Sequence, residues 1–210
     1  MIVILDYGMG NPGSILNMVR KAGGEAVISA DLEVVARASG MILPGVGAFD
    51  NGMRKLRNLG LVELLSRRVR AEKMPFLGVC LGMQLLFDRS EEGDLPGLGW
   101  LKGDVKRFNF TGIEDRHRLK IPMIGWNLVK PVHGASLFAG LEQEARFYFV
   151  HSYHAVCQDA ANVQATSRYG YDYTCAVKND NIFGAQFHPE KSHRFGLVLF
   201  KNFLEHVAQC

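Results

Sequence analysis

Nowhere in the 210 residues does an apolar run approach the ~18 positions that a membrane-crossing helix needs. The opening run, Ile2-Val3-Ile4-Leu5, stops at Asp6 and is too short for the core of a secretion signal. Cysteine is scarce: Cys80, Cys157, Cys175 and Cys210 stand far apart, with no Cys-x-x-Cys pair among them. Without a secretion signal they read as reduced thiols, so the expected compartment is the cytoplasm and no membrane partner is expected. Charge of one sign is not in excess either, and a net charge of +3 makes no electrostatic case for nucleic acid. The densest basic stretch, Lys102 to Lys120, also holds Asp104, Glu114 and Asp115 and reads as a solvated loop. Repeats, low-complexity segments and linker-like stretches are missing too. With 48% hydrophobic and 21% charged residues, the chain has the composition of an ordinary globular protein, and one domain over residues 1–210 is expected.

Along the first half, strand and helix signals alternate. Ile2–Leu5, Ala26-Val27-Ile28, Gly40–Leu43 and Pro75–Val79 are short apolar runs. Between them lie helical patterns: Ile15, Leu16, Val19 and Ala22 at core spacing, a long stretch from Asp50 to Glu72 interrupted near Gly60, and Leu81–Phe87. Strands without polar alternation, separated by helices, predict a parallel sheet covered on both faces, hence an α/β fold. Arg146–Cys157 and Tyr173–Phe187 are rich in aromatic and β-branched residues and predict added or antiparallel strands, before a last helix over Leu197–Val207.

Gly8-Met9-Gly10-Asn11-Pro12-Gly13 satisfies G-x-G-x-x-G after a strand, with Asp31 near the end of the next one, which is the outline of a dinucleotide-binding fingerprint. Asp6 and Tyr7 lengthen the turn before the first glycine, however, and Pro12 removes an N–H that such a loop would point at a pyrophosphate. A structural glycine turn is the stronger reading, with a flavodoxin-like nucleotide-binding module as the alternative.

Gly78-Val79-Cys80-Leu81-Gly82 lies between an apolar strand and a helix, the context of a nucleophile elbow. A sharp strand–turn–helix strains the nucleophile's backbone and leaves little room for a Cβ on its neighbours. A sulfur near a helix N-terminus is favoured as thiolate, and the N–H of Leu81 is placed to hold an oxyanion. Taken alone, Cys80 reads equally well as a small buried hydrophobe. His188-Pro189-Glu190, after the strand Ile182–Phe187, decides for the nucleophile. A thiol needs a base, the base needs a group to orient it, and a His and a Glu two apart on a stiff, extended segment can lie on one side and pair. The order Cys…His-x-Glu also differs from the α/β-hydrolase order, in which the acid precedes the histidine.

Pro44-Gly45-Val46-Gly47, Gly78–Gln84 and Gln186–Ser192 resemble the class I glutamine amidotransferases. Asp6–Asn11, Gly125-Trp126-Asn127 and Tyr148–Tyr153 are similar to the glutaminase subunits of imidazole glycerol phosphate synthase, and the likeness covers essentially the whole chain. The resemblance implies the flavodoxin-like fold of that family and a Cys80–His188–Glu190 triad that hydrolyses L-glutamine through a glutamyl thioester. It further implies an oxyanion hole from Leu81 and Gly47, with a peptide flip in Gly45-Val46-Gly47 driven by a partner. Gly45, Gln84, Glu92, Ser152 and Tyr153 are the implied substrate contacts; Gln84 also reads as a polar helix residue. Ammonia would pass to a (β/α)8-barrel synthase in a one-to-one heterodimer of histidine biosynthesis, docked at Asn11, Trp126, Asn127, Tyr148 and Lys191. Ordinary core packing is an alternative for the tryptophan and the tyrosine. No metal or cofactor is implied, and His151 and His154 lack ligand neighbours at useful spacing. Phe49-Asp50-Asn51-Gly52-Met53 is closer to related glutaminase subunits that feed a sugar amidotransferase for surface polysaccharide. Pro12 and Met123-Ile124 also depart from the histidine-pathway pattern. A stand-alone cysteine hydrolase on the same fold is the reading from another class.

Overall fold

The computed structural model describes residues 1–141 and 144–209; Cys210 lies outside them. The first half alternates as expected: β1 (Ile2–Leu5), α1 (Pro12–Lys21), β2 (Ala26–Ser29), α2 (Leu32–Ala36), β3 (Gly40–Leu43), α3 (Phe49–Asn58), α4 (Leu61–Ser66), β4 (Phe76–Val79) and α5 (Leu81–Gln84). Then come β5 (Arg89–Ser90), β6 (Gly103–Arg107), β7 (Met123–Leu128), β8 (Lys130–Pro131), β9 (Arg146–His151), β10 (Tyr153–Cys157), β11 (Val163–Tyr169), β12 (Tyr171–Asn179), β13 (Ile182–Ala185) and α6 (His193–Ala208).

The main sheet runs β2-β1-β3-β4-β13-β12-β10-β6-β5, parallel from β2 to β13 and antiparallel from β13 through β12 and β10 to β6. Alternation along the apolar strands feeds two cores. Ile2 and Ile4 point into one with Ile15, Val19, Leu199 and Phe203 of α1 and α6; Val3 and Leu5 point into the other with Val35, Phe49, Leu56 and Leu65. Burial on both faces is why these strands carry no polar alternation. A separate ribbon, β7 antiparallel to β9, stands beside the sheet.

Several boundaries differ from the sequence expectation. The region from Asp50 to Glu72 is two helices parted at Gly60, where φ is +66°, and ends in a π-helical turn over Arg67–Ala71. A helix the sequence analysis did not anticipate, α2, is started by Asp31, whose carboxylate accepts from the N–H groups of Glu33 and Val34 at 2.8 and 3.1 Å. α5 is shorter than Leu81–Phe87: the N–H groups of Leu86 and Phe87 turn to Met83 and Gln84, three residues back, and the carbonyls of Leu85, Leu86 and Phe87 bind the amides of Leu98, Trp100 and Gly99. The last helix starts at His193, before the expected Leu197. The basic stretch Lys102–Lys120 is not simply a solvated loop. It contains β6, paired with β10, and buries Val105 and Phe108 between its charges. Two well-separated apolar residues are too few to announce a strand; the ladder to β10 supplies what local pattern does not.

The loops after β1, β3, β4 and β13 all emerge at the carboxyl end of the parallel strands, where open α/β sheets place their sites.

Candidate active site

Cys80 begins α5 with φ +54° and ψ −111°, a conformation few residues other than glycine adopt. Its N–H donates to Ala185 O at 2.7 Å, tying the turn to β13. The flanking glycines answer to contact. A Cβ on Gly82 would lie 1.9 Å from the carbonyl oxygen of Leu43, and one on Gly78 would lie 2.5 Å from that of Gly82. Strain of this kind persists only where the surroundings over-determine it, as they do here.

His188 is fixed from three directions. Its N–H donates to Tyr148 O at 2.8 Å, and Ser192 Oγ donates to its carbonyl at 2.6 Å while accepting from Tyr148 N at 3.0 Å. Pro189 starts a 3-10 turn over Pro189–Lys191, so Glu190 reaches back to His188 through a turn and not along an extended segment. Nδ1 of His188 and Oε1 of Glu190 stand 2.7 Å apart, with side chains only 3% and 4% exposed. Burial alone would favour the neutral imidazole, but the Cys80 sulfur and the Glu190 carboxylate outweigh it and push His188 up to about 10. His188 Nε2 and Glu190 Oε2 are buried without a hydrogen-bond partner among the described residues. Nε2 is therefore open to a reacting group.

In front of Cys80 lies a cavity of about 410 Å³ whose walls include Gly47, Leu81, Gln84, Glu92, Ser152 and Tyr153. Of the expected substrate contacts, only Gly45 is not on its wall. Gln84 Nε2 donates to Tyr153 O at 3.1 Å and to Gln186 Oε1 at 3.0 Å. Glu92 Oε2 accepts from Phe49 N at 2.8 Å; burial, the Phe49 N–H and Asp50 leave its carboxyl raised on balance. Leu81 N–H does not face an open oxyanion site: it donates to Gly45 O at 3.3 Å. Gly47, with φ +105°, stands at the cavity wall. Tyr7 holds this segment, its hydroxyl donating to Pro44 O at 2.8 Å.

A second cavity, about 190 Å³, is lined by Asn11, Gly45, His188, Glu190 and Lys191 and shares Val46 with the first. Lys191 Nζ lies 5.6 Å from the centre of the Tyr148 ring. Trp126 is 47% exposed on the outer side of β7, stacked on His193 at 5.4 Å and edge-on to Tyr148. Core packing therefore does not describe it. Asn127 is occupied structurally, donating to Arg168 O at 2.8 Å, and Asn11 caps α1 by accepting from Ser14 N at 3.1 Å.

Several other buried titratable groups have partners within the fold. His151 Nδ1 faces Tyr153 O at 2.7 Å, and burial drives its ring down to about 3. His154 Nε2 meets the Tyr171 hydroxyl at 2.9 Å. Burial pushes Cys157 up to about 11 and Cys175 well above an ordinary thiol. In the glycine loop, Lys55 Nζ donates to Gly8 O at 2.8 Å, and Asp31 is consumed as a helix cap, so the fingerprint's acidic residue is not free for a ribose. Tyr7, Gln186 and Ser192 carry no expected role in the sequence. All three stood inside quoted motifs, but nothing in their spacing shows that Tyr7 touches the Pro44 loop or Gln186 the Cys80 sulfur.

The family model for class-I glutamine amidotransferases matches residues 3–207. The chain is 49% identical over 205 residues to imidazole glycerol phosphate synthase subunit HisH 2 of Methanococcus maripaludis, covering 98% of this chain and 99% of the relative. It is also 49% identical over 207 residues to the subunit HisH 2 of Pseudomonas aeruginosa, covering 99% and 100%. Among solved structures, a glutamine amidotransferase superimposes with a TM-score of 0.71 at 20% identity, over 99% of this chain and 98% of that one. PurLQS from Thermotoga maritima gives 0.68 at 18%, over 99% and 97%. At these identities the structures speak to the fold alone, and it is the same α/β architecture. Taken with the sequence matches, they make this chain a member of the class-I glutamine amidotransferase family.

Proposed function

We propose that this chain is the glutaminase subunit of imidazole glycerol phosphate synthase, hydrolysing glutamine at Cys80, His188 and Glu190 and passing ammonia to a (β/α)8-barrel synthase in the cytoplasm as one domain of a heterodimer. One observation carries the catalytic part: a buried His188–Glu190 pair whose Nε2 is unpartnered, with a strained Cys80 at the mouth of a pocket of about 410 Å³. The names of the relatives support the pathway.

In this mechanism the thiol proton passes to His188 Nε2 and the sulfur adds to the side-chain amide carbon of glutamine. The resulting oxyanion needs donors. Leu81 N–H supplies one once the Gly45 carbonyl turns away, and Gly47 N–H supplies the second after the same peptide movement. The imidazolium then gives its proton to the departing nitrogen, which leaves as ammonia, and a glutamyl thioester remains. Water adds next, its proton returning to His188; collapse releases glutamate and the thiolate, which takes the proton back. Glu190 holds the imidazole with Nδ1–H toward itself throughout. Gln84, Glu92, Ser152 and Tyr153 bind the amino-acid end of the substrate. Ammonia leaves past Val46 into the cavity bordered by Asn11 and Lys191, beside Tyr148 and Trp126, where the synthase docks.

Glutamate release by the purified chain tests this, measured alone and with the barrel synthase and its nucleotide substrate, with Cys80→Ala as the blank. Strong stimulation in the wild type and none in the variant is the expected result. If a glutamine-analogue thiol label modifies Cys80 but that synthase does not stimulate, the sugar amidotransferase indicated by Phe49–Met53 becomes the partner. No labelling and no turnover would remove the triad.

A further inference from the structure

Two buried side-chain amides connect the substrate pocket to the nucleophile, and a backbone carbonyl fixes the direction of both. Tyr153 O can only accept, so the atom of Gln84 at 3.1 Å from it is the amide nitrogen. The second hydrogen on that nitrogen points at the Gln186 amide at 3.0 Å, where it meets the carbonyl oxygen. Gln186 Nε2 is thereby turned the other way and donates to Cys80 Sγ at 3.8 Å. Gln186 is 0% exposed and Gln84 5%, so neither amide exchanges these partners for water. Reversing either would set two carbonyl oxygens, or two NH2 groups, against each other in a dry interior.

We propose that Gln186 is a second hydrogen-bond donor to the Cys80 sulfur, stabilising the thiolate and aiming it into the glutamine pocket. The inference rests on the reading of Cys80 as the nucleophile. The sulfur carries charge twice in each turnover, before attack and when the second tetrahedral adduct collapses. A fixed N–H favours the charged form at both points, without itself gaining or losing a proton. His188 remains the base; Gln186 moves no proton and adds a donor from another direction. The chain through Gln84 further links an occupied pocket to the sulfur's surroundings. The other titratable groups that bear on Cys80 are His188 with Glu190 behind it, the Tyr7 hydroxyl from the loop after β1, and His151 on the pocket wall.

Gln186→Glu gives the clean test, because it keeps size and the acceptor for Gln84 but turns a carboxylate oxygen toward the sulfur. The rate of Cys80 alkylation by iodoacetamide is followed against pH, with the modified peptide identified by mass spectrometry. The midpoint is expected to move up by about one unit or more, and alkylation at pH 7 to slow about tenfold. Gln186→Met removes the donor without adding charge and serves if the glutamate variant does not fold; its midpoint moves the same way by less. A role confined to packing would alter stability and leave the midpoint in place, so an unmoved midpoint in the folded variants overturns the proposal. If wild-type Cys80 itself resists alkylation and the chain releases no glutamate, it is the nucleophile reading that fails.

Discussion

His188 sits between opposing effects, and the residue scale is where they can be separated. Burial pulls its titration down, whereas the Cys80 sulfur and the Glu190 carboxylate push it up to about 10. In Glu190→Gln one of the two upward effects is gone and burial is undiminished. The His188 midpoint, followed by NMR of the ring, is expected to fall by about one unit or more, and glutamate release to drop by about a hundredfold or more as the imidazole loses its orientation. The same pair contributes to stability with a definite sign. A value raised on folding stabilises fully below the unfolded-state value of ~6.5, and that contribution is lost as the pH rises through about 10. The urea midpoint of the wild type should therefore exceed that of the variant most near pH 6 and least near pH 10. A difference that grew toward alkaline pH would refute the assignment of charge.

Loops at strand ends, each stiffened by a neighbour, make up the site at the scale of elements. The loop after β1 braces the loop after β3 through Tyr7 and Pro44, and a Cβ on Gly10 would come within 3.1 Å of Gly45 N. In that arrangement Gly45 O occupies Leu81 N–H, so the brace keeps the proposed oxyanion donor engaged. Tyr7→Phe removes one buried hydrogen bond and leaves the Pro44 carbonyl unpaired, an expected loss of about 1 kcal/mol in a denaturant titration. Freed from the brace, the Gly45 peptide turns more readily, and partner-free glutamate release should rise. A stability loss with no rise would mean that the hydroxyl is a fold contact only. The elbow after β4 is stiffer, since Gly82 lies against the Leu43 carbonyl with no room for a side chain.

Over the whole molecule, Cys80, His188 and Glu190 lie at the carboxyl edge of the parallel strands and the β7–β9 ribbon stands beside them. Along β7, Ile124, Trp126 and Leu128 expose apolar side chains in alternation, with Ile124 64% in solvent. Trp126 lies against Tyr148, over whose ring stands Lys191 of the smaller cavity. Trp126→Ala should weaken binding of the synthase about tenfold or more by calorimetry, because on the proposed docking face an exposed aromatic loses its whole contact area. The thermal midpoint of the isolated chain should change little. Unchanged affinity would place the docking face elsewhere. No helix among the described residues is long and apolar enough to cross a membrane.

Much of this was legible without a structure, for physical reasons. Strands buried on both faces must be apolar throughout, so β1, β3 and β4 are visible as runs, and an elbow that excludes Cβ atoms must write glycine on both sides of Cys80. A base with its orienting acid two residues away is likewise a local pattern. What local pattern omits is contact between distant segments. β6 exists because β10 offers a ladder, and the chain after α5 leaves the helix, with the carbonyls of Leu85, Leu86 and Phe87 given to the stretch from Leu98 to Trp100. Leu81 N–H is occupied because the loop after β3 folds over it, and the direction of the Gln186 amide is set by a carbonyl at Tyr153, through Gln84. The residue types at the nucleophile and its base were fixed by their neighbours in sequence. Which donors face the sulfur, and whether the proposed oxyanion site stands open, was decided only when hydrogen-bonding groups from separate segments of the chain were brought within 3.8 Å of one another.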